Sequence, residues 1–123
     1  MTKQNNAPLT DGEREDRLLS TAGLAARAGK TVFGTGLICE HLRKGQILLV
    51  LEASDTSDNT HKRLSDKSAF YEVPIVRLAA DGERLAKAFG KRDGKLAAVG
   101  ITDGGIIRAM KKYLPSSVED TAN

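Results

Sequence analysis

The chain has 123 residues, of which 40% are hydrophobic and 28% charged, and its formal net charge is +3. This length and composition fit one globular domain with its own core and exclude a wholly disordered chain. No apolar run approaches the roughly 20 residues of a membrane span, and the N-terminus lacks the apolar centre of a signal peptide. The predicted compartment is therefore the cytoplasm, with no membrane partner.

The charge is unevenly distributed along the sequence. Residues 1–17 and 115–123 together contain three basic and six acidic residues, whereas residues 18–114 contain 16 basic and 10 acidic. A basic body suits a polyanion such as RNA or DNA, but a moderate excess of charge also serves solubility. Composition makes nucleic acid a candidate partner without selecting it.

The first predicted element is a helix that follows a disordered lead, residues 1–9. Thr10 and Glu13 have the spacing of a capping box. The apolar stripe that follows them predicts a helix ending near Gly29, and consists of Leu18, Ala22, Ala25 and Ala26.

The central stretch of the sequence, Gly29 to Glu52, predicts a βαβ unit. Residues 31–33 are β-formers, Gly34-Thr35-Gly36 permits a tight turn into a helix that ends at Gly45, and the apolar run Ile47–Leu51 indicates a strand buried on both faces. A right-handed crossover leaves the amides of residues 35–37 unpaired and pointing outward. The turn is thus predicted to bind an anionic group, with Lys30 close before it in sequence.

The second half of the chain continues the alternation of helices and strands. Cap residues predict three helices: a third helix capped by Asp58 or Asn59 and running to about Tyr71, a helix Glu83–Phe89 capped by Asp81, and a last helix Gly105–Tyr113 capped by Asp103. Proline and glycine signals between these helices predict two strands, Ile75–Leu78 and Ala97–Thr102. The loop from Lys91 to Lys95 is the most basic loop of the body. We predict an α/β fold, a three-layer α/β/α sandwich with a four-stranded mixed sheet and five helices. Its single domain spans residues 18–114, between a mostly disordered lead that includes the start of the first helix (1–17) and a disordered tail (115–123).

Motifs for catalysis or cofactors are weak in this sequence. Gly29-Lys30-Thr31 resembles the end of a phosphate-binding P-loop, but the opening glycine is misplaced and a helix precedes where a strand is required. Cys39, His41 and His61 are too few and too scattered for a four-ligand zinc site. We interpret the cysteine as core filler and both histidines as solvated helix residues, and expect no cofactor, metal or enzymatic activity.

The sequence resembles the kink-turn RNA-binding ribosomal protein family, the archaeal L-seven-Ae type, and particularly its small bacterial branch. The resembling span runs from about Leu18 to Leu114, and its segments appear in the family's order: A-R-A-G-K-T-V-F-G-T-G, I-L-L-V-L-E-A-S-D, V-P-I-V-R-L, L-A-K-A-F-G-K and A-A-V-G-I-T-D. The resemblance implies an α/β/α sandwich that binds RNA through the glycine-rich turn, the start of the following helix, and the loop before the last strand.

The match extends to some of the family's RNA-binding positions and not to others. Gly34 and Thr35 match the turn, and Lys44 falls where the family has a basic residue at the helix end. Gly36, Leu37 and Glu40 stand where kink-turn binders have an asparagine, a glutamate and a lysine, which in the family read guanine edges and hold phosphates. The predicted RNA-binding residues, expected at one edge of the fold, are Lys30, Gly34, Thr35, Gly36, Leu37, Lys44, Lys91, Arg92 and Lys95.

The predicted function is non-catalytic binding of structured RNA, ribosomal or another non-coding RNA, through the turn and the basic loop. Two alternatives belong to other classes of protein. A protein-interaction module on the same scaffold would have lost kink-turn readout and would use the apolar Leu37 face for a protein partner. The chain would otherwise be the substrate-binding part of an RNA-modifying enzyme, which requires a catalytic domain that this sequence does not contain.

Overall fold

The computed structural model describes residues 8–91 and 93–115. The helices and strands follow one another as α1 (Asp11–Arg27), β1 (Thr31–Phe33), α2 (Thr35–Arg43), β2 (Leu49–Glu52), α3 (Asp58–Phe70), β3 (Ile75–Arg77), α4 (Gly82–Ala88), β4 (Ala98–Ile101) and α5 (Gly104–Met110), with a final 3-10 turn, Lys111–Tyr113. The predicted order of elements is confirmed. Most of the predicted disordered lead (1–7), most of the predicted tail (116–123) and Arg92 lie outside the described residues.

The sheet is mixed and its lateral order is β1-β4-β2-β3. β2 pairs with β3 in parallel, while β4 runs antiparallel to both β1 and β2. β1 and β2 are therefore parallel, as a βαβ unit requires, but β4 lies between them. The parallel pair of adjacent strands is β2 and β3, connected by α3. Sequence signals gave the strands in chain order and carried no information on their lateral order.

Helices cover both faces of the sheet, which confirms the predicted three-layer sandwich. Successive residues of β2 point to opposite faces, so Leu49 and Leu51 belong to one hydrophobic cluster and Val50 to the other. The first cluster joins the sheet to α1, α4 and α5, and the second joins it to α2 and α3. All four β2 residues are buried, as expected for a strand covered on both faces.

Local signals located most helix ends correctly. The Thr10–Glu13 capping box is present, and Asp81 and Asp103 cap α4 and α5. The cap of α3 is Ser57, not Asp58 or Asn59, because the Ser57 hydroxyl accepts a hydrogen bond from the Thr60 amide.

Several predicted boundaries differ from the observed ones by one residue, and two were wrong by more than that. β2 begins at Leu49, not Ile47, and Leu48 is 44% exposed. The last predicted helix is divided, because α5 ends at Met110 and the chain tightens into a 3-10 turn before Pro115.

Candidate nucleic-acid interface

The turn between β1 and α2 is built on the backbone of Gly34. This residue has φ +95° and is the N-cap of α2, a conformation that favours glycine because a side chain at positive φ is strained. Glycine carries no side chain that could accept hydrogen bonds from the first-turn amides. In contrast, side chains cap the other four α-helices of the described chain, through Thr10, Ser57, Asp81 and Asp103.

The turn lies at one edge of the sheet together with the loop that precedes β4. Phe33 pairs with Val99 and Glu52 pairs with Ala98, so the C-terminal ends of β1 and β2 meet the N-terminal end of β4 at this edge. We call the edge formed by residues 33–37, 53–57, 89–91 and 93–97 the glycine-turn edge. The predicted turn residues and the predicted basic loop are thereby brought together.

Lys91 connects the basic loop directly to the turn. Its Nζ lies 4.5 Å from the centroid of the Phe33 ring, which is a cation–π distance, and Phe33 immediately precedes Gly34. The same ring makes an edge-to-face contact with Phe89 at the C-terminal cap of α4, with centroids 6.1 Å apart. The Lys91 ammonium group thus lies over the residue that immediately precedes the uncapped turn into α2.

The other cation of the loop that the structure describes, Lys95, lies farther along the same edge. Its Nζ is 3.8 Å from the carboxylate of Asp55, and both side chains are substantially exposed. Asp55 also accepts a hydrogen bond from the amide of Gly82 at 2.8 Å, so the carboxylate joins the loop after β2 to the start of α4. Arg92 lies between the two lysines in sequence, outside the described residues.

Lys30 and Lys44 lie at the opposite edge, contrary to the prediction of one common edge. The Thr102 amide donates a hydrogen bond to the Lys30 carbonyl, and this bond lies beyond the Thr31–Ile101 pair that ends the β1–β4 ladder. Lys30 is therefore at the end of β1 away from Gly34. Lys44 is the C-cap of α2, and the nine residues of this helix separate it from Gly34 by about 13 Å. It pairs with Glu40 at 3.3 Å on the helix surface. Lys30 lies shortly before the turn in sequence and Lys44 shortly after it, but β1 separates Lys30 from the turn in space and α2 separates Lys44 from it.

The side chains of α2 at the glycine-turn edge are small or apolar. Leu37 is 54% exposed, and a Cβ built on Gly36 would meet no atom within 4 Å. Glu40 follows one turn later on the exposed surface. The edge therefore presents backbone amides, flanking cations and one exposed leucine.

A buried carboxylate near this edge was not predicted from the sequence. Glu52, the last residue of β2, is fully buried, and its two oxygens lie 2.9 and 2.7 Å from Nδ1 of His61 on α3. Arg77 at the end of β3 approaches the same carboxylate, with Nε at 3.9 Å. The interpretation of His61 as a solvated helix residue holds only in part, because its side chain is 40% exposed and its Nδ1 also contacts the buried acid. The one available signal was an acidic residue that ends an apolar strand and precedes Ala53.

The remaining interpretations of single side chains were closer. Cys39 is buried in α2, as expected of core filler. His41 is half-buried, and its Nδ1 lies 2.8 Å from the carbonyl oxygen of Leu37 within the same helix. Among residues 8–91 and 93–115 no group of three or more His, Cys, Asp or Glu side chains is placed to hold a metal ion. Within the same residues, no helix combines the length and apolarity needed to cross a bilayer.

The α/β/α sandwich and the glycine turn at the start of α2 are features of one protein family, which comparison with known sequences identifies. Residues 16–110 match the Ribosomal protein L7Ae/L30e/S12e/Gadd45 family, and the chain belongs to this family. The resemblance predicted from the sequence is confirmed.

Bacterial relatives match most of the chain. The RNA-binding protein YlxQ of Enterococcus faecium is 33% identical over 106 residues, which cover 86% of this chain and 98% of the relative. The RNA-binding protein YlxQ of Bacillus subtilis is 36% identical over 92 residues, which cover 75% of this chain and 89% of the relative.

Solved structures show the same fold. A Bacillus halodurans C protein described as having unknown function superposes with a TM-score of 0.72 at 31% identity, over 79% of this chain and 95% of its own. The Giardia lamblia 15.5kD RNA binding protein superposes with a TM-score of 0.74 over 98% and 99% of the two chains, at 17% identity. At that identity the second likeness concerns the fold alone.

Proposed function

We propose that this protein binds structured RNA, ribosomal or another non-coding RNA, in the cytoplasm and without catalysing a reaction. The observation that carries the proposal is the position of Lys91, whose ammonium group lies over Phe33, the residue that precedes the uncapped turn at Gly34. Two bacterial relatives named as RNA-binding proteins support it.

The glycine-turn edge suits the RNA backbone because it combines two kinds of phosphate ligand. Amides at a helix N-terminus bind anions through hydrogen bonds and the helix dipole, and the proposed donors are those of Thr35, Gly36 and Leu37. Lysine ammonium groups supply point charges to neighbouring phosphates. We assign this role to Lys91, Arg92 and Lys95. Lys30 and Lys44 lie at the opposite edge of the sheet, so we do not include them in the RNA contact.

The edge is less suited to reading bases than to holding phosphates. Gly36 and Leu37 offer no side-chain hydrogen bonds to base edges, whereas each good bidentate pair contributes roughly 1 to 3 kcal/mol of discrimination. We therefore propose recognition of RNA shape and backbone, with a weaker preference for kink-turns than kink-turn binders of the family have.

The test is the salt dependence of RNA binding by a variant in which Lys91, Arg92 and Lys95 are all alanine. If each cation contacts a phosphate, the negative slope of log K against log salt should become less steep by about 2 to 3, because each contact contributes roughly 0.7 to 0.9. Different structured RNAs should be weakened about equally, since phosphates carry no sequence information. The matched control replaces three exposed cations of the α2–α3 layer, Arg43, Arg63 and Lys67, with alanine.

Two results would contradict the proposal. A wild-type protein that binds no structured RNA at low salt removes the function, and a slope unchanged in the loop variant removes the basic loop from the site.

The second candidate function is a protein-interaction module, and the exposed Leu37 favours it. Apolar contact with a protein partner is nearly independent of salt, whereas phosphate contact weakens steeply as salt rises. Titration at two salt concentrations therefore separates the two functions.

A further inference from the structure

A groove with basic walls runs between α1 and α4 on the side of the sheet opposite α2 and α3. It has a volume of about 490 Å³ and continues into a second depression of about 300 Å³. Gly23 of α1 and Ala88 of α4 line both parts. A Cβ built on Gly23 would lie 2.8 Å from the Ala88 carbonyl oxygen, so the two helices approach each other closely along the floor.

The walls of the groove carry more positive than negative charge. Arg27 and Lys87 line both parts, are exposed, and have no acidic group within 4 Å among the described residues. Arg84 also lines the groove and lies 3.3 Å from Asp16, so these two charges offset each other at one end. The free positive charge is therefore concentrated at the other end, around Arg27 and Lys87.

This basic end leads to the glycine-turn edge. The second depression is lined by Phe89 and Gly90, which are followed in the chain by Lys91. Lys91 lies over Phe33, beside the turn at Gly34. Arg27, Lys87 and Lys91 thus form a path of cations that leaves the turn and enters the groove, and the seven residues of α4 are about 10 Å long.

We propose that the groove between α1 and α4 is a second contact for the phosphate backbone of the same RNA, a proposal that rests on the proposed function. The Arg27 guanidinium matches a phosphate with paired N–H donors, and the Lys87 ammonium group supplies a point charge. Ser20, exposed on α1 in the first part of the groove, adds a neutral hydroxyl of the kind that commonly contacts phosphates. The turn and the groove together hold one RNA at two places.

The test compares two double variants that lose the same charges. Arg27→Gln with Lys87→Gln removes the cations of the groove, and Arg43→Gln with Lys67→Gln removes an arginine and a lysine from the α2–α3 layer. All four residues are exposed and lie in the last turn of a helix, so any loss of helix-dipole stabilisation is matched. Thermal melts of both variants check that the fold is retained.

The probe is a labelled RNA hairpin with an internal loop and two helical turns of flanking stem. For the groove variant we expect the slope of log K against log salt to become less steep by about 1.4 to 1.8, because two phosphate contacts are lost. Affinity at low salt should fall by about fivefold for each cation, the effect of unit charges about 4 Å apart in water. The control variant should change affinity by less than about twofold.

The outcomes separate the groove from the turn. If the wild type binds RNA and the groove variant keeps the wild-type slope, the groove is not a contact and the proposed function stands. An equal loss in the control variant also overturns the groove, because the effect would then follow net charge and not position. Failure of the wild type to bind the hairpin at low salt overturns the groove and the proposed function together.

Discussion

Replacement of Gly23 by alanine should show how closely α1 and α4 are packed. The new Cβ would lie 2.8 Å from the carbonyl oxygen of Ala88, and this oxygen belongs to the backbone and has no rotamer with which to move away. Ordinary contact begins near 3.4 Å, so the helices would have to separate by about half an ångström, and overpacking of this kind costs roughly 1 to 3 kcal/mol.

The same helix contains a matched control. Gly12 is exposed in the first turn of α1, and a Cβ built on it would meet no atom within 4 Å. Gly12→Ala should therefore gain about 0.4 to 1 kcal/mol from the reduced entropy of the unfolded chain. Gly23→Ala gains a similar amount and then loses the overpacking energy. The difference between the two variants isolates that energy, roughly 1 to 3 kcal/mol in favour of Gly12→Ala.

The assay is chemical unfolding of both variants in urea, with linear extrapolation to water and a check that the m-value is unchanged. A Gly23→Ala variant as stable as Gly12→Ala would refute the reasoning, because it would mean that α1 and α4 do not approach each other at this point. The floor of the groove would then be wrongly described as well.

Three other changes test the core, the cap of α1 and the glycine-turn edge. Leu49→Ala should destabilise the protein by about 2 to 5 kcal/mol, since Leu49 is fully buried in β2, and a loss under about 1 kcal/mol in urea melts would contradict the core position. Hydrogen bonds from Thr10, chiefly from its backbone amide, hold the pKa of Glu13 below its usual 4.5. The stabilising effect of the Glu13 carboxylate is therefore complete above pH 4.5 and is lost as the pH falls through the lowered pKa. The difference in unfolding free energy between wild type and Glu13→Gln should change only below pH 4.5. A difference that is independent of pH argues against the capping box. A triple variant should show a higher preference for a kink-turn over a plain duplex in competition binding; its substitutions are Gly36→Asn, Leu37→Glu and Glu40→Lys. An unchanged preference would show that this protein differs from kink-turn binders in more than these three side chains.

The features that sequence predicted best depend on neighbouring residues. The capping box of α1, the Asp81 and Asp103 caps and the glycine turn after β1 follow from interactions within a few residues. The alternation of helices and strands was sufficient to predict the layered class, because amphipathic elements in this order have few ways to bury their apolar faces.

The features that sequence missed depend on contacts between distant residues. The position of β4 between β1 and β2 separates strands that are close in the chain, and no local pattern encodes it. The pairing of Glu52 with His61 joins a strand end to a helix, and each residue taken alone resembles an ordinary surface group. Lys30 was grouped with the turn because it is close in sequence, and Lys44 because it matches a basic position of the family. The extended β1 and the nine residues of α2 place both away from the turn in space.

The central position of β4 also bears on how the protein is made. β4 is the last strand among the described residues, yet it supplies the pairing partner on one side of β2 and the only partner of β1 in the described sheet. During synthesis from the N-terminus, β1 therefore has no partner until residue 101 has left the ribosome, and β2 has only β3. Unpaired strand edges of this kind template aggregation, and contacts between distant residues slow folding. The nascent chain should thus complete its sheet in one late step, and a ribosome stalled before β4 should display an intermediate that is recognised by chaperones.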